Sequence, residues 1–369
     1  MKIEMLPMAT VPAPLKPHSV KPSVAQAIDP LHLQQSTKGL TERSIFHEPW
    51  WLDATTDNNW QAAIVKTGEE TIAEMPYSVT KKSRLWRVSY LPPLTRTLGP
   101  VIQRPPADAD GRDWVHRLDV TRKLIAQLPD CAHFHQLADP RTSDAEAAAF
   151  RLAGFNVSVE FTLRLSPGVD EESAWSRLRW NTRNRIRRSS ERFVVREIES
   201  VDTFVDFYNV NLTTRRLENE YGSEVMQRVL REVTARGAGT IIGSFDRDGS
   251  LLAATALVWD RFNVYYLLTT RQAASHSGAV ALLVWEAMRI ARKMKLEIDF
   301  DGVSTAGILQ FLAGFGGHLI HRYLFEKIRT DFAICRGIRT RARERAKQRS
   351  EAGTPGQSSK PSQADSALS

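Results

Sequence analysis

The run Asp299-Phe300-Asp301-Gly302 sets two carboxylates two residues apart, ahead of a glycine that permits a sharp exit from an extended segment. On a strand, side chains at that spacing share one face. Adjacent like charges raise the pKa of at least one carboxylate when partly buried, which brings it toward the range of a working base. Asp301, with Asp299 beside it, is therefore the first candidate for a proton acceptor or for a group that orients an incoming nucleophile. A strand-end aspartate serves equally as the cap of a following helix, here near Ser304 and Thr305. Glu218 and Glu220 are further carboxylate candidates and also fit a solvated helix end.

A second chemistry is anion binding. Residues 270–279, TRQAASHSGA, run directly into an apolar helical segment. The unpaired N–H groups of a helix N-terminus hold phosphate without a long motif. Arg271, Gln272, Ser277, Gly278 and Ala279 thus make a candidate phosphate cradle, with Ser277 or Gly278 at the cap. An ordinary strand-to-helix loop capped by serine has the same composition. The arginines of 177–192, Arg183 among them, offer fork-shaped guanidinium groups to phosphates or carboxylates, and the same run reads as a solvated amphipathic helix. His133 and His135 alternate and so share a strand face, yet no third ligand lies at metal-site spacing and no metal is expected.

Alternation and turn residues mark the elements that must carry these groups. Segments 62–65 and 71–79 around 66–70 read as a hairpin, as do 240–245 and 251–259 around 246–250. In the carboxy-side half a strand at 263–270, a helix at 279–295 with Ala281, Val284, Trp285 and Met288 at helical spacing, and a strand at 296–300 follow. In the amino-side half a helix at 113–128 and a strand at 132–137 match them. The order β-β-(β)-α-β-α-β recurs, which predicts an internal duplication. The stretches 149–155 (AFRLAGF) and 310–315 (QFLAGF) support it, each preceding an extended segment, 157–165 and 319–327. Each short helix is predicted to end on its glycine, Gly154 or Gly314, as a positive-φ cap. Residues 173–193 are predicted to be one basic helix with Trp175, Leu178, Ile186 and Phe193 along its apolar stripe.

The chain has 369 residues, 42% hydrophobic and 25% charged, a balance that fits globular domains and excludes collagen-like, coiled-coil and wholly disordered classes. No apolar run approaches the roughly 18 residues that cross a bilayer, and Pro7, Pro12, Pro14, Pro17 and Pro22 interrupt the first thirty residues, so neither a membrane span nor a signal peptide is expected. Cys131 and Cys335 stand alone, which excludes a disulfide framework and points to a reducing cytoplasm. The net charge of +8 is local: 177–192 and 336–350 each carry +6, leaving −4 elsewhere, so a diffuse nucleic-acid surface is not implied. Residues 1–40 have the composition of a disordered segment, and 331–369 reads as a basic helix-like stretch that runs into a disordered tail, GTPGQSSKPSQADSALS. Between them lie two expected domains, 41–165 and 166–330.

This layout resembles the GNAT acyltransferase superfamily, in its tandem branch related to the Fem aminoacyltransferases and to GNAT-like proteins of bacterial polysaccharide biosynthesis. The residues that carry the resemblance are Phe46-x-x-Pro49-Trp50-Trp51-Leu52, Phe150-x-x-x-Gly154-Phe155, 180–188, Tyr208 with Thr213-x-Arg215-Arg216, Ser277-Gly278, Asp299 to Gly302, and Phe311-x-x-Gly314-Phe315-Gly316-Gly317. The resemblance implies an α/β (α+β) fold of two tandem GNAT-like units, each a mixed, mainly antiparallel sheet flanked by helices. The second unit would keep the donor cleft, and the chain would return after about residue 320 to complete the first. It also implies acyl-CoA, such as acetyl-CoA, as co-substrate, with no metal, and a small-molecule amine as acceptor. A strand amide facing the thioester would by order come from 251–258, a tyrosine acid from Tyr265 or Tyr266, and acceptor contacts from Thr213 and Arg216, with Arg183 beside them. The superfamily's phosphate loop is richer in glycine than 270–279, which retains only one.

Three functions follow from this reading: an acyl-CoA-dependent N-acyltransferase of a polar or sugar-like amine, a Fem-type enzyme drawing on aminoacyl-tRNA, and a non-catalytic binding protein of the same fold. A dedicated nucleic-acid-binding protein fits least, since helix-turn-helix, zinc and RNA-recognition patterns are missing from the sequence.

Overall fold

The computed structural model describes residues 43–82, 85–103, 113–166, 168, 170–273, 278–302 and 305–338. After a 3-10 turn at Ile45–His47 come α1 (Pro49–Thr56), β1 (Gln61–Thr67), β2 (Glu70–Tyr77), β3 (Thr80–Lys82), β4 (Trp86–Ser89) and β5 (Val101–Ile102). Next stand α2 (Asp113–Ile125), β6 (His133–Leu137), α3 (Asp144–Leu152) and β7 (Asn156–Leu165). Four helices and a strand follow: α4 (Glu171–Arg177), α5 (Trp180–Ser190), β8 (Val194–Glu197), α6 (Val201–Thr214) and α7 (Ser223–Ala235). The last group is β9 (Gly239–Phe245), β10 (Leu251–Trp259), β11 (Asn263–Arg271), α8 (Gly278–Met294), β12 (Glu297–Asp299), α9 (Ala306–Leu312) and β13 (His318–Ile328). The recurring order read from the sequence is present in both halves.

Two compact units result, and neither is continuous in sequence. The carboxy-side unit takes the described residues of Met1–Asn58, Pro93–Arg96 and Glu160–Arg322, while the amino-side unit takes those of Asn59–Pro92, Thr97–Val159 and Tyr323–Ser369. The chain passes between units within β7 and again within β13. Chain order alone suggests a split at 165/166, whereas Phe46 and Trp51 pack in the unit that holds 160–322.

In the carboxy-side unit the strand order is β7-β12-β11-β10-β9-β8, with β13 beside β7. Successive residues on β9, β10 and β11 point to opposite faces. Ile242, Leu257 and Val264 meet the α8 residues Leu283 and Trp285 on one face, and Ile241, Val258 and Tyr265 meet Phe204 and Val229 of α6 and α7 on the other. Apolar residues buried on both faces explain why these strands read as continuous hydrophobic runs. Helix α7 shows the complementary pattern, burying Met226, Val229, Leu230 and Val233 at spacings of three and four. In the amino-side unit β1, β2 and β5 form one sheet and β3, β4, β6 and β13 pair in another.

Two local expectations are corrected. Residues 173–193 are not one helix: the extended backbone of Leu178 and Arg179 separates α4 from α5, and Arg179 N–H bonds the Gly314 carbonyl at 2.9 Å instead of continuing a helical ladder. Gly154 does carry positive φ at the end of α3, but Gly314 does not end its helix in that way. It lies in a 3-10 turn, where a Cβ would come 2.3 Å from Thr182 Oγ1, so glycine is needed there for close approach and the positive φ falls on Gly316 and Gly317.

Phe150 is fully buried in the amino-side unit, stacked on Phe325 with ring centroids 3.8 Å apart and set edge-on to Phe155 at 5.0 Å. Phe150→Ala should lower stability by about 3–5 kcal/mol, because the rings around the void are fixed by one another. Urea unfolding measures this, and a loss under about 1 kcal/mol would mean that the site collapses freely.

Candidate active site

Strands β11 and β12 run parallel through Asn263↔Glu297, Val264↔Ile298 and Tyr265↔Asp299, and their pairing stops there. β11 continues to Arg271 against β10 alone, while β12 ends at Asp299 and next pairs with β7 through Asp299↔Arg164. On the side facing away from β10, residues 266–270 therefore have no strand partner among the described residues. A gap at the carboxyl ends of parallel strands is where open α/β sheets take their ligands. The next described element after β11 is the helix that begins at Gly278, and a helix N-terminus carries a partial positive charge.

This geometry corrects the strand expected to supply the amide. The 251–258 segment pairs on both sides, with β9 and with β11, so its amides are engaged, and the parting lies one strand later. Asp301 is corrected as well. It does not share a strand face with Asp299 but sits beyond the strand at φ +53°, followed by Gly302 at φ +89°. The cause is local: Asp299 Oδ1 accepts the Asp301 N–H at 2.9 Å and the Thr162 hydroxyl at 2.5 Å, while Thr162 Oγ1 accepts the Gly302 N–H at 3.1 Å. Aspartate tolerates the left-handed region better than most residues. Neither carboxylate caps the next helix; Thr305 Oγ1 does, accepting the Ile308 N–H at 3.2 Å.

Each aspartate is matched to arginines. Arg164 Nε donates to Asp299 Oδ2 at 3.0 Å, and Arg322 Nη1 donates to Asp301 Oδ1 at 3.0 Å. Arg96 Nε stands 2.9 Å from Asp301 Oδ2, within ion-pair distance but off the line of a hydrogen bond. A Cβ on Gly302 would lie 2.8 Å from Arg322 Nη2, so the glycine leaves room for that guanidinium. Arg96 also donates to the Tyr221 hydroxyl at 3.3 Å and to the Leu267 carbonyl. Leu267 is on β11 past the parting and Asp301 follows β12, so one side chain bridges the two diverging segments. Burial works against the Arg96 charge, but Asp301 and Tyr221 outweigh it and hold the guanidinium above its usual range.

Other candidates from the sequence are more dispersed. Tyr266 is in the core beside Phe300, its hydroxyl donating to Thr269 Oγ1 at 3.2 Å, and burial pushes its phenol upward. Gln272 is tied to β10, its N–H to the Leu252 carbonyl at 2.9 Å and its Nε2 to the Leu251 carbonyl at 2.8 Å. Arg271 ends β11, and its carbonyl accepts from Arg215 Nη2 at 2.6 Å, which brings the end of α6 to the end of β11. Thr213 and Arg216 are exposed on that same stretch, with Arg216 at φ +57°. Glu218 and Glu220 are exposed nearby. Gly278 and Ala279 are buried at the start of α8, and Ser277 lies outside the described residues. Arg183 Nη1 donates to the Ser176 carbonyl at 3.1 Å, joining α4 to α5 away from the aspartates' partners. Arg96, Thr162, Arg164 and Arg322 were not singled out in the sequence, where nothing separates these arginines from the others among 50 basic residues.

In the amino-side unit His133 bonds Tyr90 at 2.8 Å and Glu326 at 2.8 Å, and among the described residues no group of three or more His, Cys, Asp or Glu could hold a metal ion. Burial pushes the His133 imidazole down, with Glu326 opposing only in part. The unfolded chain then takes up a proton first on acidification, so stability is complete above the ordinary histidine pKa of about 6.5 and falls as pH drops below it. His133→Gln should flatten that part of a stability-versus-pH curve. In the carboxy-side unit, Asp299→Ala strands Arg164 and should cost about 3–5 kcal/mol, read by denaturant unfolding against Asp299→Asn, which keeps an acceptor.

Comparison with known proteins bears on this region. Residues 176–305 match the sequence profile of the family described as "Acetyltransferase (GNAT) domain". No curated protein sequence matches the chain. Among solved structures, FemX superposes with a TM-score of 0.61 at 12% identity, over 83% of this chain and 96% of FemX. L-PGS from Bacillus licheniformis gives 0.48 at 9% over 77% and 89%. A tandem GNAT protein from the clavulanic acid biosynthesis pathway gives 0.44 at 9% over 73% and 83%. The parting of β11 and β12 and the start of α8 both fall inside the residues that match the GNAT profile, and the chain shares its fold with FemX.

Proposed function

We propose that the protein is a cytoplasmic N-acyltransferase that passes an acyl group from acyl-CoA, acetyl-CoA in the simplest case, to the amino group of a small polar or sugar-like acceptor. The observation that carries this reading is the divergence of β11 from β12 immediately ahead of the α8 N-terminus. The co-substrate supplies an activated thioester carbonyl. In the transfer the C–N bond forms, the C–S bond breaks, and the amine releases one proton.

The chain's own groups divide the remaining work. Main-chain N–H groups on the side of 266–270 that faces away from β10 polarise the carbonyl, aimed at the oxygen where charge develops. The α8 N-terminus, with Ser277, Gly278 and Ala279, holds the phosphates, and Arg271 adds charge beside it. Gln272 anchors the loop to β10. Asp301, gripped from both sides by Arg96 and Arg322, orients the amine rather than taking its proton, and Asp299 fixes the turn that presents it. Tyr266, buried and held by Thr269, keeps its proton. Thr213 and Arg216 flank the acceptor side, with Arg183 farther out on α5.

One observation favours a second donor. Helix α5 and its flanks expose Arg179, Arg187, Arg188 and Arg192 together with Trp180, which is 69% exposed. Arginines beside an open aromatic suit a nucleic-acid backbone and a stacked base, as an aminoacyl-tRNA donor would offer. Titration calorimetry with acetyl-CoA and longer acyl-CoAs tests the first reading, and saturable binding is expected. If folded protein binds none of them but retains tRNA with an affinity that falls steeply with salt, the second donor replaces the first.

A further inference from the structure

The ion pairs at the end of β12 do not balance. Among the described residues, three guanidinium groups, Arg96, Arg164 and Arg322, face two carboxylates, Asp299 and Asp301, which leaves one positive charge uncompensated. The side chains of Arg164 and Arg322 are only 13% and 7% exposed. Donors are left over as well: Arg164 Nη2 and Arg322 Nε are buried with no hydrogen bond from a described residue, and Arg96 Nε lacks one of proper geometry. Buried donors are nearly always satisfied in folded proteins, and an unmatched charge is the costlier part of such a cluster. The five side chains are one network, since Asp299 accepts from the Asp301 main chain and Asp301 holds both Arg96 and Arg322.

We propose that this cluster binds an oxyanion on the acceptor, so that the substrate amine carries a carboxylate or phosphate group. The inference rests on the N-acyl transfer reading for its location, because the cluster lies where β11 and β12 diverge and where the amine must arrive. An anionic oxygen supplies both missing features, a negative charge and an acceptor for the idle N–H groups. Guanidinium groups suit this task because they present several fixed donors and stay charged. Gly302 belongs to the same design, since a side chain there would press on Arg322 Nη2.

The test compares matched amines binding to the full chain by titration calorimetry without a donor. Alanine against alaninamide forms the carboxylate arm, and glucosamine 6-phosphate against glucosamine forms the phosphate arm. The anionic member of at least one pair should bind roughly tenfold or more tightly than its neutral partner, the size of one charge-assisted hydrogen bond. Arg164→Gln should bring that ratio toward one, and Arg164→Lys, which keeps the charge, should retain more of it. The wild-type comparison stands even where a variant fails to fold. Equal binding within both pairs, failure of both anionic amines to bind, or a ratio unmoved in folded Arg164→Gln overturns the proposal. A separate assay of thiol release from acetyl-CoA keeps the two readings apart. Anion preference without transfer from any acyl-CoA removes the donor assignment alone, and transfer to neutral amines without anion preference removes this inference alone.

Discussion

A strand that loses its neighbour leaves peptide groups that must find another partner or face an opening, and the separation of β11 from β12 imposes that constraint on everything around it. β10 stays paired with β11 to Arg271, but the register shifts between Leu257↔Tyr266 and Ala256↔Leu268, which leaves Leu267 as the extra residue of a bulge on β11. On the other side, the chain after β12 turns through two consecutive left-handed residues, Asp301 and Gly302. Of the peptide groups exposed on β11, the Leu267 carbonyl is taken by Arg96. Among the described residues, the N–H groups of 266–270 that face away from β10 have no strand partner, which makes that side one that favours a carbonyl oxygen or another acceptor. The polarity of the site follows from strand geometry before any side chain is considered.

The aspartates have different tasks. Asp299 is buried and spends its oxygens on Thr162, Arg164 and the Asp301 main chain, so it shapes the turn. Asp301 is the outcome of that turn, carried out of the strand and bracketed by Arg96 and Arg322. A buried ion pair gives little net stability once desolvation is counted, and a well-packed apolar group often does as well. What the pair does supply is a fixed orientation, which an apolar replacement could not give. Arg96 arrives from 93–96, a short passage of the chain through the carboxy-side unit, and Arg322 from the last residue of that unit within β13. Segments far apart in sequence thus converge on the end of one three-residue strand.

Legibility in the sequence tracked how local each feature is. Strands β9, β10 and β11 and helix α8 were readable because their residues are buried by simple period, two for strands and near 3.6 for helices. The break at Leu178 and Arg179 was not, since both halves keep the same apolar stripe and only the Gly314 carbonyl, more than a hundred residues away, decides where the ladder stops. Asp299 and Asp301 were identified as a pair, but their shared strand face was lost to a hydrogen bond that the alternation of side chains does not encode. The diverging strand was displaced by one for a related reason: pairing partners set a splay, and Leu, Ala, Thr and Val are the same in a paired strand as in an open one. The return of the chain to the amino-side unit within β13 followed from the family resemblance, whereas no composition shift marks the passage within β7.

Charge was the most misleading of the sequence signals, and the structure explains why. The +6 carried by 177–192 is mostly on exposed side chains, where solvent screens it and where each arginine is worth little. The arginines with the strongest surroundings, Arg96, Arg164 and Arg322, are isolated in sequence, the first two flanked by leucine, threonine or serine and the third by His321 and Tyr323. A charge gains influence through desolvation rather than through company. One unmatched guanidinium among buried groups can therefore direct the chemistry of the site more than the seven arginines of the basic run. The basic run keeps its charge in solvent, whereas the buried cluster holds its charge against Asp299 and Asp301 at the end of β12.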